Sequence, residues 1–277
     1  MARIKSWEEL TIQDNFLFQK VMNNKRLCKY LIEKILNIRI HDITYPDSEK
    51  TIDIRMDSKS VRLDVYVTDE LGRVYDIEIQ CTNDPNGGLA KRTRYYQAMI
   101  DMDVLEKGSD YEELKPSYII FICTFDAFHQ GKPIYTFRNL CLEDSSLDMG
   151  DEATKIFLNS KGHSNSLDPD IAAFLRYVDG NAVEGAFVHE LDMEVQRIKR
   201  HDETRREYMT LAMELRRQNK EGYKAGKEAG KKEGLVEGKT STALEMLQDG
   251  VPIETIAKYT KLSVEYITKL SKAHNLI

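Results

Sequence analysis

The chain has 277 residues, enough for one large domain or two smaller ones around a sizeable buried core. With 41% hydrophobic and 31% charged residues it reads as a soluble globular protein, and no window reaches the roughly 18 consecutive apolar residues of a membrane span. Net charge is −6 but unevenly spread: from residue 195 onward 17 Lys and Arg stand against 12 Asp and Glu, so residues 1–194 carry −11, which argues against a binder that holds nucleic acid by a basic surface alone.

An acidic front half suits a body that gathers carboxylates around a divalent cation, although taken alone it reads as solubilising charge. The opening MARIKSWEEL lacks the apolar stretch of a secretory leader. Cys28, Cys81, Cys123 and Cys141 show neither close pairing nor zinc spacing and read as reduced thiols acting as small hydrophobes. A cytoplasmic protein with no membrane partner is the expectation.

Thr11 to Leu36 reads as an amphipathic helix pair, with Phe16, Val21, Leu27, Leu31 and Ile35 at helical spacing. From Ile38 to Gln80 the period changes to two, the signature of strands and hairpins. The clearest hairpin is SVRLDVYVTDELGRVYDIEIQ, turning at Asp69-Glu70-Leu71-Gly72. Asn83 to Gly88 is a loop by composition. Leu89 to Leu105 predicts a helix with Leu89, Tyr96, Ile100 and Val104 on its buried stripe. Ser117 to Phe125 is a continuous apolar run, as expected of a central strand covered on both faces. Pro133 to Glu143 alternates and reads as a neighbouring strand or hairpin arm. Helix, three strands, helix, strand, strand predicts an α/β body with a mixed sheet, here assigned to residues 1–180.

Beyond Asp168 the pattern turns helical: Ile171 to Val178 is short, and Glu184 to Asn219 is longer and highly charged. Within residues 181–240 lies EGYKAGKEAGKKEGLVEGK, with Gly222, Gly226, Gly230, Gly234 and Gly238 at every fourth position. Each would weaken a solvated helix by ~1 kcal/mol relative to Ala. A flexible linker seldom keeps such a register. The spacing instead predicts a bare helical stripe that another helix approaches closely. Residues 241–277 form a small helical unit, with Gly250-Val251-Pro252 ending one helix and Ser263 capping the last. Helix, turn and helix around Leu262 resembles a helix-turn-helix. Its neutral charge and few base-reading side chains fit a dimerisation or docking unit equally well.

Strand alternation decides which side chains meet. Arg62, Asp64 and Tyr66 share one face of the first hairpin arm, while Val74, Asp76, Glu78 and Gln80 share a face of the second. A carboxylate in a largely apolar arm needs a reason, because an unpaired buried charge is strongly disfavoured. Asp64 and Glu78 can converge on one point. With the Ile79 carbonyl they offer three hard oxygens of the kind Mg²⁺ selects, and Gln80 faces the same site.

Asp64 followed by Glu78-Ile79-Gln80 has the spacing and strand context of the PD-(D/E)XK nucleases. The phrase RLDVYV…G.VYDIEIQ with the following KRTRYYQAM is similar to the recombination-promoting nuclease and transposase branch of that superfamily. The similarity runs from about Trp7 to about Val178. It implies a restriction-endonuclease-like mixed sheet flanked by helices. It also implies Mg²⁺-dependent hydrolysis of DNA phosphodiesters in a bacterial mobile-element or recombination setting.

In most of the superfamily a lysine stands where Gln80 stands, although this branch resembles sequences that carry Gln there. An amide supplies no cation for the charge that builds on the phosphate. Lys91, Arg92 and Arg94 in the following helix are the candidate substitutes. Arg92, Arg94, Tyr95 and Tyr96 also suit contact with the DNA backbone, with Arg92, Tyr95 and Tyr96 on one side and Arg94 elsewhere. The plain alternative is a packing helix with a solvated basic face. In related folds the first helix often sets an acidic residue beside the metal, which points to Asp14 in IQDNFLF. The same stretch, from Thr11 to Asp14, also fits a capping box.

Rival chemistries find no pattern: the six histidines lack metal-ligand spacing, and neither a GxxxxGK[ST] loop nor a GxSxG elbow occurs. The expectation is a Mg²⁺-dependent DNA endonuclease, working as a homo-dimer. The alternative is a catalytically silent nuclease fold that binds DNA or assembles through its striped tail.

Overall fold

In the computed structural model, residues 3–45, 51–52, 61–83, 88–163, 167–274 and 276 are described. The chain opens with α1 (Asn15–Met22) and α2 (Lys25–Leu36), joined at Asn24, whose side chain accepts the Leu27 N–H. Short strands β1 (Ile43–Thr44), β2 (Thr51–Ile52) and β3 (Val61–Arg62) lead into β4 (Val65–Asp69) and β5 (Val74–Gln80). Helix α3 (Leu89–Val104) crosses over to β6 (Ser117–Cys123), followed by β7 (Ile134–Phe137) and β8 (Ala153–Asn159). Five helices complete the chain: α4 (Pro169–Val178), α5 (Ala186–Lys199), α6 (Asp202–Gln248), α7 (Ile253–Thr260) and α8 (Val264–Ala273).

Six strands form one mixed sheet in the order β1-β4-β5-β6-β8-β7; β5, β6 and β8 run parallel, and the other neighbours antiparallel. The parallel centre explains the continuous apolar run of β6, which is buried over nearly its whole length. Under α3, Met99 and Ile100 pack with Ile119, Phe121, Phe157 and Tyr66. Helices α1, α2, α4 and α5 pack on one another, and α1 reaches β5.

Two features depart from the sequence reading. Strand β8 goes unnoticed there, yet it sits between β6 and β7, so Pro133 to Glu143 supplies a neighbour of β8 and not of β6. Its apolar centre, Ile156-Phe157-Leu158, is too short to betray a strand by periodicity. The single helix expected over Glu184 to Asn219 is broken at Arg200 and His201. There the Trp7 indole N–H donates to the Lys199 carbonyl at 3.2 Å, and the Lys199 ammonium donates to the carbonyls of Glu8 and Leu10. The amino-terminal segment thus satisfies the end of α5, where a continuing helix would have used that carbonyl itself.

The chain divides into two compact units, one formed by Lys5–Tyr208 and the other chiefly by Met209–Ile277. In the second, α6 passes through all five glycines without a break and ends at Gln248, and Ala243, Leu247, Ile256 and Ile267 form a small core with α7 and α8. Ser263 caps α8 as expected, its hydroxyl accepting the Tyr266 N–H. No helix among the described residues is long and apolar enough to cross a membrane.

The hairpin turn falls where the sequence places it. Asp69 is 7% exposed, and its carboxylate accepts the Leu71 and Arg73 backbone N–H groups at 2.9 Å, the Arg73 guanidinium and the Tyr75 hydroxyl at 2.7 Å. Gly72 takes the positive φ of 77° that closes the turn. Asp69→Ala would leave four donors without their acceptor. We expect a loss of about 3 kcal/mol, the scale of breaking a buried charged hydrogen-bond network. Urea denaturation checks it: a loss under about 1 kcal/mol would mean water replaces the carboxylate.

Candidate active site

Beyond the hairpin's turn, β4 and β5 pair Val65 with Ile77 and Tyr66 with Asp76. That register sets Asp64 opposite Glu78, at the point where the chain leaves the ladder. The two residues lock across the gap: the Asp64 N–H donates to Glu78 Oε1 at 2.9 Å, and the Ile79 N–H donates to Asp64 Oδ2 at 3.3 Å. Each side chain thus takes a backbone donor from the other's strand. Helix α1 adds two amides that sequence reasoning missed. Asn15 Nδ2 lies 3.0 Å from both Asp64 oxygens, and Gln19 Nε2 lies 3.3 Å from Oδ1. The signal was present, since Asn15 and Gln19 are an i,i+4 polar pair in a helix that otherwise buries Phe16, Leu17, Phe18 and Val21.

A third carboxyl completes the cluster. Asp76 is fully buried two residues before Glu78; among the described residues no N–H or hydroxyl reaches its oxygens, which face the Glu78 carboxyl. Burial holds the Asp76 carboxyl well above the usual carboxylate range, and the Glu78 and Asp64 charges push it further. Glu78 is pushed up to about 8, chiefly by burial and then by Asp64, while the Asp64 N–H and Arg92 oppose the shift. Asp64 is also raised by burial, against the Ile79 N–H and the two amides.

Gln80 lies beside this cluster with its amide fixed at both ends: Nε2 donates to the Thr82 carbonyl and Oε1 accepts from Arg92 Nη2, both at 2.7 Å. Arg92 reaches in from the first turn of α3. Its Nη2 stands 4.0 Å from Glu78 Oε2, and its guanidinium carbon lies 4.8 Å from the Phe121 ring centroid and 5.6 Å from that of Tyr96. Burial and the neighbouring Glu78 charge raise the Tyr96 hydroxyl above its ordinary range. Arg92 and Tyr96 therefore face the carboxyls, whereas Lys91, Arg94 and Tyr95 are exposed. Tyr95 does not share Arg92's burial, contrary to the side assignment from sequence.

Asp14 has another occupation. It pairs with Lys5 at 2.7 Å and accepts the Thr11 N–H at 2.8 Å, which closes the turn before α1; its side chain makes no capping hydrogen bond to that helix. Among the described residues no hydrogen bond joins it to Asp64 or Glu78, although its charge and that of Asp64 both bear on the Cys81 thiol.

Three carboxyls crowded in apolar surroundings with hard oxygen donors fit a divalent cation, which would relieve their mutual repulsion. Among the described residues, no three or more His, Cys, Asp or Glu side chains are placed to hold a metal by themselves, so a backbone carbonyl has to be counted with the carboxylates. A mixed sheet flanked by helices, with the Asp64 and Glu78-Ile79-Gln80 hairpin beside α3, is the arrangement of the restriction-endonuclease-like fold.

Comparison with known families matches residues 15–161, more than half of the chain, to the PD-(D/E)XK nuclease family transposases. The chain belongs to this family, whose nucleases are generally divalent-metal dependent. No curated protein and no solved structure matches it. The matched span takes in α1, the hairpin, α3 and all the residues of the cluster.

The raised carboxyls tie stability to pH. A carboxyl whose folded pKa exceeds its unfolded value binds protons more tightly in the folded state, so its stabilisation is complete at low pH and is lost as pH rises through the folded pKa. With metal chelated, the melting temperature should fall between about pH 5 and about pH 8.5, the window set by Glu78 at about 8. Asp76→Asn should flatten that slope and raise the melting temperature at the alkaline end, and a divalent cation should do the same for the wild type. A flat wild-type profile in chelator would show that the three carboxyls do not share a desolvated site.

Proposed function

We propose that the chain is a Mg²⁺-dependent endonuclease that hydrolyses DNA phosphodiesters in recombination or transposition. The observation that carries this reading is the reciprocal lock of Asp64 and Glu78 beside the fully buried Asp76. Asp64, Glu78 and the Ile79 carbonyl would hold the cation, with Asp14 as a further acidic neighbour. When bound, Mg²⁺ neutralises phosphate charge and lowers the pKa of a coordinated water. Asn15 and Gln19 keep the Asp64 carboxylate turned toward the site. Gln80, fixed between Thr82 and Arg92, orients water or phosphate, and Lys91, Arg92, Arg94, Tyr95 and Tyr96 contact the DNA backbone.

Asp64→Ala and Glu78→Ala should each abolish nicking of supercoiled plasmid while leaving the circular dichroism spectrum unchanged, because each removes an oxygen from a site with few protein ligands. Near wild-type cutting by either variant would sink the assignment. Binding without cleavage by the wild type would favour a silent assembly module.

We further propose a homo-dimer joined along the glycine stripe, with the nuclease-like domain in residues 1–180, the charged helices in 181–240 and a small helical unit in 241–277. A Cβ built at any of Gly222, Gly226, Gly230, Gly234 and Gly238 meets nothing within 4 Å, and Tyr223 and Leu235 are exposed beside them. One flank of the stripe carries Lys227, Lys231 and Lys239, and the other carries Ala225, Ala229, Glu233 and Glu237. Opposite flanks meet in a parallel two-fold pair and like flanks meet in an antiparallel one, so these charges favour the parallel pair. Replacing Gly226 and Gly230 with Leu raises helix propensity yet blocks close approach. By sedimentation velocity the wild type should be a dimer and that variant a monomer; equal sedimentation would remove the stripe as the contact.

A further inference from the structure

We infer that Arg92 carries the positive charge that most PD-(D/E)XK sites take from a strand lysine, and that Gln80 acts through it as a positioning residue. This rests on the nuclease reading above and refines it, since there Arg92 only steadies the DNA backbone.

Position 80 itself cannot supply the charge. Its amide nitrogen is committed to the Thr82 carbonyl at 2.7 Å, which turns its oxygen toward α3, and that oxygen takes Arg92 Nη2 at the same distance. The side chain at the lysine position is therefore occupied in holding a guanidinium. Arg92 is placed as an electrostatic group more than as a clamp. Its charge bears on all three carboxyls of the cluster, and its guanidinium lies over Phe121 and Tyr96. An arginine that merely gripped DNA would stand out in solvent, as the exposed Lys91 and Arg94 do.

The guanidinium also has capacity left. It carries five N–H donors, and among the described residues its hydrogen bonding is limited to Gln80, with Nε buried and unpartnered. A planar fork with free donors, half-buried beside paired carboxylates, matches the bidentate geometry of a phosphodiester. Charge that develops on phosphate during in-line attack would meet a fixed cation in surroundings of low dielectric, where such contacts count most.

The test uses the full-length protein with Arg92→Met, which keeps an unbranched side chain without the charge, with Gln80→Leu, with Gln80→Lys, and with Gln80→Lys combined with Arg92→Met. Single-turnover cleavage of a duplex oligonucleotide is measured in Mg²⁺, and oligonucleotide and Ca²⁺ affinities are measured in Ca²⁺. Arg92→Met should slow cleavage by about 100-fold or more, the usual cost of losing one group that stabilises the transition state. Its DNA affinity should fall by about 5-fold or less, the scale of one exposed ion pair. Calcium should bind it as tightly as the wild type or tighter, because a positive neighbour of the carboxylates is gone. Gln80→Leu should slow cleavage less than Arg92→Met does, and Gln80→Lys should restore cleavage in the Arg92→Met background.

Cleavage and DNA affinity falling together would make Arg92 a backbone clamp and overturn the inference while leaving the nuclease standing. Loss of Ca²⁺ binding together with cleavage would make it a structural partner of the carboxylates, with the same consequence. Cleavage by Arg92→Met at the wild-type rate, or no rescue by Gln80→Lys, also overturns it. A wild type that cuts nothing brings down the nuclease reading itself, and this inference with it.

Discussion

Three carboxyls share one end of a hairpin, and most of the surrounding structure answers to that crowding. Asp64, Asp76 and Glu78 come from adjacent strands of a buried sheet, where like charges held out of water oppose folding. Pairing register makes the cluster possible, because a slip by one residue would turn Glu78 and Asp76 to the opposite face and leave Asp64 facing an isoleucine. Asp69 fixes that register from the other end of the hairpin, binding both sides of the turn and the Tyr75 hydroxyl. It is a buried carboxylate with a full set of donors, whereas the Asp76 carboxyl, among the described residues, meets no N–H or hydroxyl and faces Glu78. Similar chemistry thus serves as scaffold at the turn and as stored electrostatic strain at the open end.

That strain is tolerable because the rest of the sheet is unusually apolar. Strand β6 contributes Ile119, Ile120, Phe121, Ile122 and Cys123, all essentially inaccessible, and burial of this kind stabilises by about 1.5–3 kcal/mol per large side chain. Aromatic rings reinforce it where the site needs a firm floor. Phe121 stacks with Phe157 at 5.6 Å, and Phe128 meets Phe157 edge-on at 4.9 Å. Phe121 is also the ring over which Arg92 lies, so core packing and the placement of the cation are a single contact.

Local signals carried the architecture well wherever a segment had a clear period. The hairpin, its turn, α3 and the apolar β6 were legible from alternation and turn chemistry, and so was the opposition of Asp64 and Glu78. Strand β8 was not, because its identity comes from parallel pairing with a strand 36 residues earlier and leaves little trace in seven residues. The break between α5 and α6 was hidden for a like reason, since its cause is Trp7, almost two hundred residues away. Within the site, strand periodicity put Asp76 on the right face but could not say that it is wholly buried against Glu78. The supporting amides of α1 come from a part of the chain that reads, in isolation, as an amphipathic helix with a cap.

Helix α3 shows why a basic helix reads ambiguously from sequence. Its 3.6-residue period sends Arg92 and Tyr96 inward on one stripe and leaves Lys91, Arg94 and Tyr95 outside. The phrase KRTRYY therefore serves two surfaces at once, and no count of its charges separates them. What separates them is the partner each meets. The inward arginine finds Gln80 and the carboxyls, and its position is set by the strand glutamine and by two aromatic rings. The outward cations have long, solvated side chains whose attraction to a phosphate backbone requires no such fixing. A charge moved from strand to helix gains a longer reach and a broader hydrogen-bonding fork, but it becomes dependent on a second residue to hold it. Gln80 supplies such an acceptor to Arg92.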